Sequence, residues 1–446
     1  MELQRSRYVH FLPGRSHGVL AFNSLTLKAF RLTDEEYDVL EGFGTPREFD
    51  GPLPPSLQDF ADARLLVPPS EDLAGTAVAR LNLRRREQYK RGGGHYRTLR
   101  LALTERCNMA CTYCFQQTLY PDDQPRMSME LLRETMRWFI DQAEGDHVTV
   151  QYFGGEPLME WPLIVEAHGM LEAAQADGTI AGFRQTITTN GTLVTPERAR
   201  WMVERDFDLT FSFDGPPEQN DSQRVFKNGR GTYDKAAAGL RTWVEAGGQS
   251  AILMTATAEN MESLPATVRY FVAESGLSPA VIGLNSPQPV IGGWETGGVE
   301  LARVVFDIWT YCLEAGIEFH GPGTYLPSHL ATGRPQHDNC VDGHVFGESD
   351  GPGAWPVYVS ADGRRSRCLV HHRDLRVEIP RGADPQASGL QWHRGHDSIP
   401  DCDGCIASQM CGGPCSLERI LWKGRLNEDR CGFMREMTRL VLTEGT

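Results

Sequence analysis

Cys107, Cys111 and Cys114 fall within eight residues, in the run Cys107-Asn108-Met109-Ala110-Cys111-Thr112-Tyr113-Cys114. Three thiolates on one short loop can hold three irons of a [4Fe–4S] cube. Such cubes normally take four cysteines, so the fourth iron is left open to a small molecule. A structural zinc site would use paired C-x2-C spacings, which fits this run less well. A second set lies in the last quarter of the chain: Cys340, Cys368, Cys402, Cys405, Cys411, Cys415 and Cys431. Within it only Cys402 and Cys405 form a C-x2-C pair, so a zinc ribbon is again the poorer reading. The eleventh cysteine, Cys312, stands alone in a helix-like stretch and reads as a plain buried thiol.

The elements that must position these residues follow from periodicity. From residue 98 the chain alternates strand and helix. Strands are expected at 99–103, 148–153, 185–189, 209–213, 251–257 and 281–284. Helices are expected near 128–143, 161–176, 196–205, 233–246, 262–275 and 299–315. Alternation of this kind argues for a parallel α/β domain with right-handed connections. Six units, rather than eight, imply a partial (β/α)6 barrel over residues 98–320, open on one side. The chemistry of such folds lies at the C-terminal strand ends, where the first cysteine run falls.

Residues 1–80 read as a separate small module. Short strands flank Pro13-Gly14, Thr33 to Glu36 is a capping box, and a second helix leads into Leu65-Leu66-Val67. The pattern is winged-helix-like. Such a module either decorates the enzyme or holds a peptide by strand addition at an exposed edge. Residues 81–97, basic and then glycine-rich, read as a linker. Residues 321–446 are rich in Gly, Pro, Asp and Cys, with too little apolar material for an easy core. Metal ligation can supply folding energy there.

Composition narrows the functional classes. The chain has 446 residues, a hydrophobic fraction of 40% and a formal charge of −15. An acidic chain is a poor generic partner for nucleic acid. No apolar run approaches the roughly 20 residues that span a bilayer, and the start, Met1 to Tyr8, lacks the apolar centre of a signal peptide. The expected setting is cytoplasmic, where clustered cysteines point to metals rather than disulfides.

With these motifs in order, the chain resembles the radical S-adenosylmethionine (SAM) superfamily over roughly residues 98–435. Tyr113 supplies an aromatic just before the last cysteine of the run, where that family has one. The resemblance implies that SAM chelates the open iron and is cleaved to a 5′-deoxyadenosyl radical that takes a hydrogen atom from an unactivated carbon. The protein's part is to bind, orient and exclude water. Gly154-Gly155-Glu156-Pro157 matches the glycine-rich element that meets the SAM amino group, with Glu156 able to accept from an ammonium. Thr188 to Thr192 and Ser212 to Gly215 resemble stretches lining the SAM pocket, with Ser212 a polar contact. Arg224 matches an arginine that pairs with the SAM carboxylate. Asn260 and Leu284 are weaker pocket candidates.

The distal cysteines resemble the SPASM domain of peptide-modifying members, which holds two auxiliary [4Fe–4S] clusters. The resemblance assigns Cys402, Cys405, Cys411 and Cys431 to the outer cluster, and Cys340, Cys368 and Cys415 to the inner one. The interval from Cys340 to Cys368 is longer than that family's pattern. The inner cluster's fourth position is then open, or filled by Asp338, Asp342, His344 or a substrate thiol. Three clusters and SAM are therefore the implied cofactors. The implied partners are a precursor peptide whose leader the first module holds, and an electron donor such as flavodoxin or ferredoxin. Neither nucleic acid nor membrane is expected. The leading expectation is a peptide maturase forming a carbon–carbon or thioether crosslink. The alternatives are a formylglycine-forming sulfatase-maturing enzyme and, from another class, a zinc-stabilised binding scaffold. No general acid or base is legible.

Overall fold

The computed structural model describes residues 1–14, 18–72, 95–122, 124–285, 297–333, 354–366, 368–375, 378–379, 400–411, 413 and 425–445. Its centre is a mostly parallel sheet. The strands are β7 (His95–Thr104), β8 (His147–Gly154), β9 (Gly182–Thr189), β10 (Phe207–Ser212), β11 (Ala251–Thr255), β12 (Val281–Asn285) and β13 (Glu318–His320). Neighbours in sequence are neighbours in space, all parallel, from β7 at one side to β13 at the edge. In β7 the consecutive residues Thr98, Leu99, Arg100, Leu101, Ala102 and Leu103 are all buried, as expected of a strand covered on both faces.

The helices between the strands lie close to their expected positions. Met129–Asp141 shows why: Leu132, Thr135, Met136, Phe139 and Ile140 are its buried residues, a single stripe at helical spacing. Ser128 caps it, accepting from the Leu131 N–H at 3.1 Å.

Two features were not expected. A further strand, β14 (Ala354–Val359), pairs in parallel with β7, and β15 (Arg365–Ser366) pairs antiparallel with β14. Pro356 sits where the β7–β14 register shifts, consistent with proline's missing N–H. The long helix Glu428–Thr443 packs against the helix Gly298–Glu314. Their approach is close: a Cβ on Gly298 would stand 1.6 Å from the Asp429 carbonyl oxygen. Phe433, Met434, Met437 and Val441 thus join the same core as the sheet. The final helix therefore leans on the core of the central sheet.

The first 72 residues contain two three-stranded sheets. One has the order β5-β1-β6 and the other β2-β3-β4, from β1 (Glu2–Arg5), β2 (Val9–Pro13), β3 (Val19–Asn23), β4 (Lys28–Leu32), β5 (Arg47–Glu48) and β6 (Leu66–Val67). Helices Asp34–Glu41 and Pro55–Asp62 complete them. The capping box is formed: Thr33 Oγ1 accepts from the Glu36 N–H at 3.2 Å, and Glu36 Oε2 accepts from the Thr33 N–H at 2.8 Å. Leu3, Leu32, Leu40, Phe43, Phe60 and Leu66 make a separate small core. Most of the expected linker, residues 81–94, lies outside the described residues. Among the described residues, no helix is long and apolar enough to cross a membrane.

Candidate active site

Sheet register brings the motifs together. Thr104 pairs with Gly154, Phe211 with Thr189, and Ser212 with Leu253. The first cysteine loop, the Gly154 to Pro157 run and the stretches 188–192 and 212–215 therefore start at the C-terminal ends of adjacent strands.

The cysteine loop leaves β7 and is strapped to residues 223–226. The Ala110 N–H donates to the Val225 carbonyl at 2.8 Å, and the Thr112 N–H to the Gln223 carbonyl at 3.0 Å. Met109, 1% exposed, anchors the loop from below. Burial pushes the Cys107 thiol up to about 12, reinforced by Glu156 and by Cys111 and Cys114. Burial also raises Cys111, with Arg224 opposing. Thiols so placed ionise poorly by themselves, and a cationic iron core is what would make them thiolates together. The donor set therefore fits an iron–sulfur cube.

The two glycines of Gly154-Gly155-Glu156 have a specific duty. Gly154 has φ +128°, and a Cβ there would meet the Thr104 carbonyl oxygen at 2.1 Å. At Gly155 a Cβ would meet the Arg106 oxygen at 2.0 Å. The close approach they permit is to the backbone of the cysteine loop. Hydrogen bonds seal it, from Gly155 N–H to Thr104 O at 2.8 Å and from Glu156 N–H to Arg106 O at 3.0 Å. Glu156 is 1% exposed. Its Oε1 accepts from the Leu158 N–H at 3.0 Å and the Thr189 hydroxyl at 2.8 Å, and its Oε2 from the Asn190 N–H at 2.8 Å. Burial raises its carboxyl despite these donors. The carboxylate thus ties the ends of β8 and β9 together.

Asn190 extends the tie to the cysteine loop. Its Nδ2 donates to Asn108 Oδ1 at 2.9 Å, and Asn108 Nδ2 donates to Thr192 Oγ1 at 2.8 Å. Asn108 and Asn190 were not individually singled out in the sequence; their signal is position alone, one beside Cys107 and the other at a strand end.

Tyr113 and Arg224 meet over a third residue, Asp214. The Tyr113 hydroxyl donates to Asp214 Oδ2 at 2.5 Å and accepts from Arg224 Nη1. Arg224 Nη1 also reaches Asp214 Oδ2 at 3.4 Å, and the Thr255 N–H donates to Asp214 Oδ1 at 3.0 Å. Asp214 is fully buried and Arg224 8% exposed. Burial opposes the Arg224 charge, but Tyr113 and Asp214 hold its pKa above the ordinary arginine value. Burial raises the Tyr113 hydroxyl well above its usual range, so it stays a donor. This triad locks the cysteine loop to the end of β10. Asp214→Asn should leave Arg224 a buried, uncompensated cation. The expected outcome is a loss of about 3 kcal/mol in unfolding free energy and at least a roughly tenfold fall in SAM affinity, since 1.4 kcal/mol already changes binding tenfold. Unchanged denaturation and unchanged equilibrium SAM binding would contradict the triad.

Ser212 is half-buried at the end of β10. Asn260 is fully used within its own turn, accepting from the Thr257 N–H and donating to the Thr255 carbonyl, both at 2.8 Å. Leu284 is buried in the main core.

Of the distal cysteines, Cys402, Cys405, Cys411 and Cys431 line one pocket, with Arg430, Arg435 and Met434. Cys411 sits on the short helix Ser408–Cys411 and Cys431 on the long final helix. Among the described residues, no group of three or more His, Cys, Asp or Glu is placed to hold a single metal ion. Burial and the neighbouring thiols push Cys402 up to about 12, and burial and Cys411 do the same to Cys431. Arg435 and Arg430 oppose the rise at Cys431. A half-buried thiol set whose members repel one another, flanked by arginines, fits an iron–sulfur group. Cys340 and Cys415 lie outside the described residues. Cys368 is described, with its sulfur accepting from the His371 N–H at 3.2 Å.

Residues 101–271 match the model of the radical SAM superfamily. A serine-type anaerobic sulfatase-maturating enzyme of Bacteroides thetaiotaomicron is 33% identical over 139 residues, 30% of this chain and 33% of that protein. The chain spans only 30–38% of the length of the first curated relatives it matches. Among solved structures, anSMEcpe with bound AdoMet aligns with a TM-score of 0.60 and 16% identity, covering 78% of this chain and 96% of that one. SuiB of Streptococcus suis bound to precursor peptide SuiA aligns with a TM-score of 0.54 and 13% identity, covering 94% and 96%. At these identities the structural likeness establishes the fold.

Proposed function

We propose, with residues 101–271 a radical SAM domain of the type found in peptide maturases, that this chain modifies a precursor peptide by forming a carbon–carbon or thioether crosslink between side chains. A bound cluster and SAM supply the one-electron chemistry that starts hydrogen removal. The chain's own residues do the rest. Cys107, Cys111 and Cys114 hold the cluster and leave one iron open. Glu156, Asn190 and the glycines fix the loop. Arg224, held by Asp214 and Tyr113, offers a cation to the SAM carboxylate, and Ser212 a hydroxyl to its ribose or methionine part.

The distal cysteines would hold two auxiliary clusters in a SPASM-type arrangement. Forming a bond at a substrate radical requires removal of one more electron, and clusters of suitable potential can accept it. A flavodoxin- or ferredoxin-like donor would reduce the first cluster.

The observation that carries the peptide reading is the N-terminal module. It has its own core and two short sheets whose outer strands β2, β4, β5 and β6 each pair with one strand among the described residues, the arrangement that strand addition uses. The likeness to SuiB covers 94% of the chain, leaving out fewer residues than the module contains. That likeness, to a protein solved with a precursor peptide, supports a leader-binding role; the sequence likeness to a sulfatase-maturating enzyme covers a third of that enzyme. Deleting residues 1–72 should weaken binding of the short peptide encoded beside the gene by roughly tenfold or more, about 1.4 kcal/mol, while SAM binding persists. Equal peptide affinity with and without the module would overturn the role.

A further inference from the structure

The N-terminal module meets the outer cysteine set at Asp403, between two of its cysteines. Its turn Ser6–Tyr8 joins β1 to β2, and so joins the module's two sheets. The turn is held from within: Asp72 accepts from the Ser6 hydroxyl at 3.0 Å, the Arg7 N–H at 2.8 Å and the Gln4 side chain at 3.1 Å. From this turn two side chains reach one carboxylate. The Tyr8 hydroxyl donates to Asp403 Oδ1 at 2.7 Å, and Arg7 Nη1 pairs with Asp403 Oδ2 at 3.1 Å. Asp403 lies between Cys402 and Cys405, whose loop is closed by the Cys405 N–H donating to the Cys402 carbonyl at 3.2 Å. The Tyr8 residue is 1% exposed and the Asp403 side chain 15% exposed, so their hydrogen bond is shielded from water, while the Arg7 side chain, 41% exposed, pairs from the solvent side.

We propose that Arg7 and Tyr8 are positioning residues of the outer cysteine site, through which the N-terminal module sets the electrostatic environment of the cluster held there. The proposal rests on the reading of Cys402, Cys405, Cys411 and Cys431 as ligands of a [4Fe–4S] cluster. Its physics is simple. A carboxylate one residue from a cluster ligand stabilises the oxidised, less negative state and lowers the potential. Arg7 offsets that charge, and the Tyr8 hydroxyl disperses it. Anything that moves the turn, a peptide added to β2 included, then moves the potential. By linkage, the oxidation state changes the module's affinity for that peptide by the same factor.

The test uses the full chain, reconstituted anaerobically, with the potential of the outer cluster read by spectroscopically monitored redox titration. Arg7→Gln should shift that potential to more negative values, and Tyr8→Phe should shift it the same way by less. Asp403→Asn should shift it to more positive values, and the Arg7→Gln/Asp403→Asn pair should show a shift of the Arg7→Gln kind largely abolished. The cluster on Cys107, Cys111 and Cys114 should be unmoved. Opposite signs are not what a merely structural contact would give. Full iron content with an unchanged outer potential in both Arg7→Gln and Asp403→Asn overturns the inference. A variant that loses iron is judged on Tyr8→Phe, where an unchanged potential likewise overturns it. An unaltered chain with no iron at the outer set overturns the ligand reading itself, a separate failure.

Discussion

Gly155→Ala is expected to strip the iron from the first cysteine loop. A Cβ at this position stands 2.0 Å from the Arg106 oxygen, 2.3 Å from its carbonyl carbon and 2.9 Å from the Cys107 nitrogen. All three are backbone atoms, so no side chain can swing aside. The loop must retreat, and with it go the hydrogen bonds from Gly155 to Thr104 and from Glu156 to Arg106. Overpacking of this kind costs about 3 kcal/mol or more, and the displaced atoms belong to a cluster ligand. Iron analysis of the reconstituted variant should fall by about four irons per chain, one cube, with a clear drop in melting temperature. Full iron and an unchanged melt would show that the loop tolerates the methyl group.

Replacing Cys107, Cys111 and Cys114 together by Ala should abolish SAM cleavage while the outer cysteine set keeps its iron–sulfur absorption. The two sites stand on different supports. The first hangs between β7 and residues 223–226. The second sits between residues 401–413 and the helix Glu428–Thr443, which is fixed to Gly298–Glu314 by apolar packing. Three alanines at half-buried positions remove thiols that repel one another, so the barrel should stay folded. Loss of all iron from this variant would show that the sites load as one unit.

Much of the parallel sheet and its helices was legible because its signals are local. Strand and helix alternation, Ser128 and Thr33 as caps, and glycine at strand ends are written within a few residues of where they act. The cysteine triplet was legible for the same reason. What was not legible is set by distance in the chain. β14 joins β7 across more than 250 residues, and its flanks of Gly and Pro hide its apolar alternation. The helix Glu428–Thr443 carries Cys431 and many charges, so its apolar face is obscured until it meets Gly298. Asp214 read as part of a strand-end turn. Its role emerges only where Tyr113, 101 residues earlier, reaches it. Glu156 shows the reverse: a residue assigned by resemblance to a ligand's ammonium is bonded by three protein donors from neighbouring loops.

The central claim is that Cys107, Cys111 and Cys114 hold a cluster that opens SAM. Its most direct measurement is the 5′-deoxyadenosine released when the anaerobically reconstituted, chemically reduced chain is mixed with SAM. The account predicts release from the unaltered chain, dependent on reductant, and none from the triple alanine variant. Release from the variant, or none from an unaltered chain carrying its full iron, would contradict it.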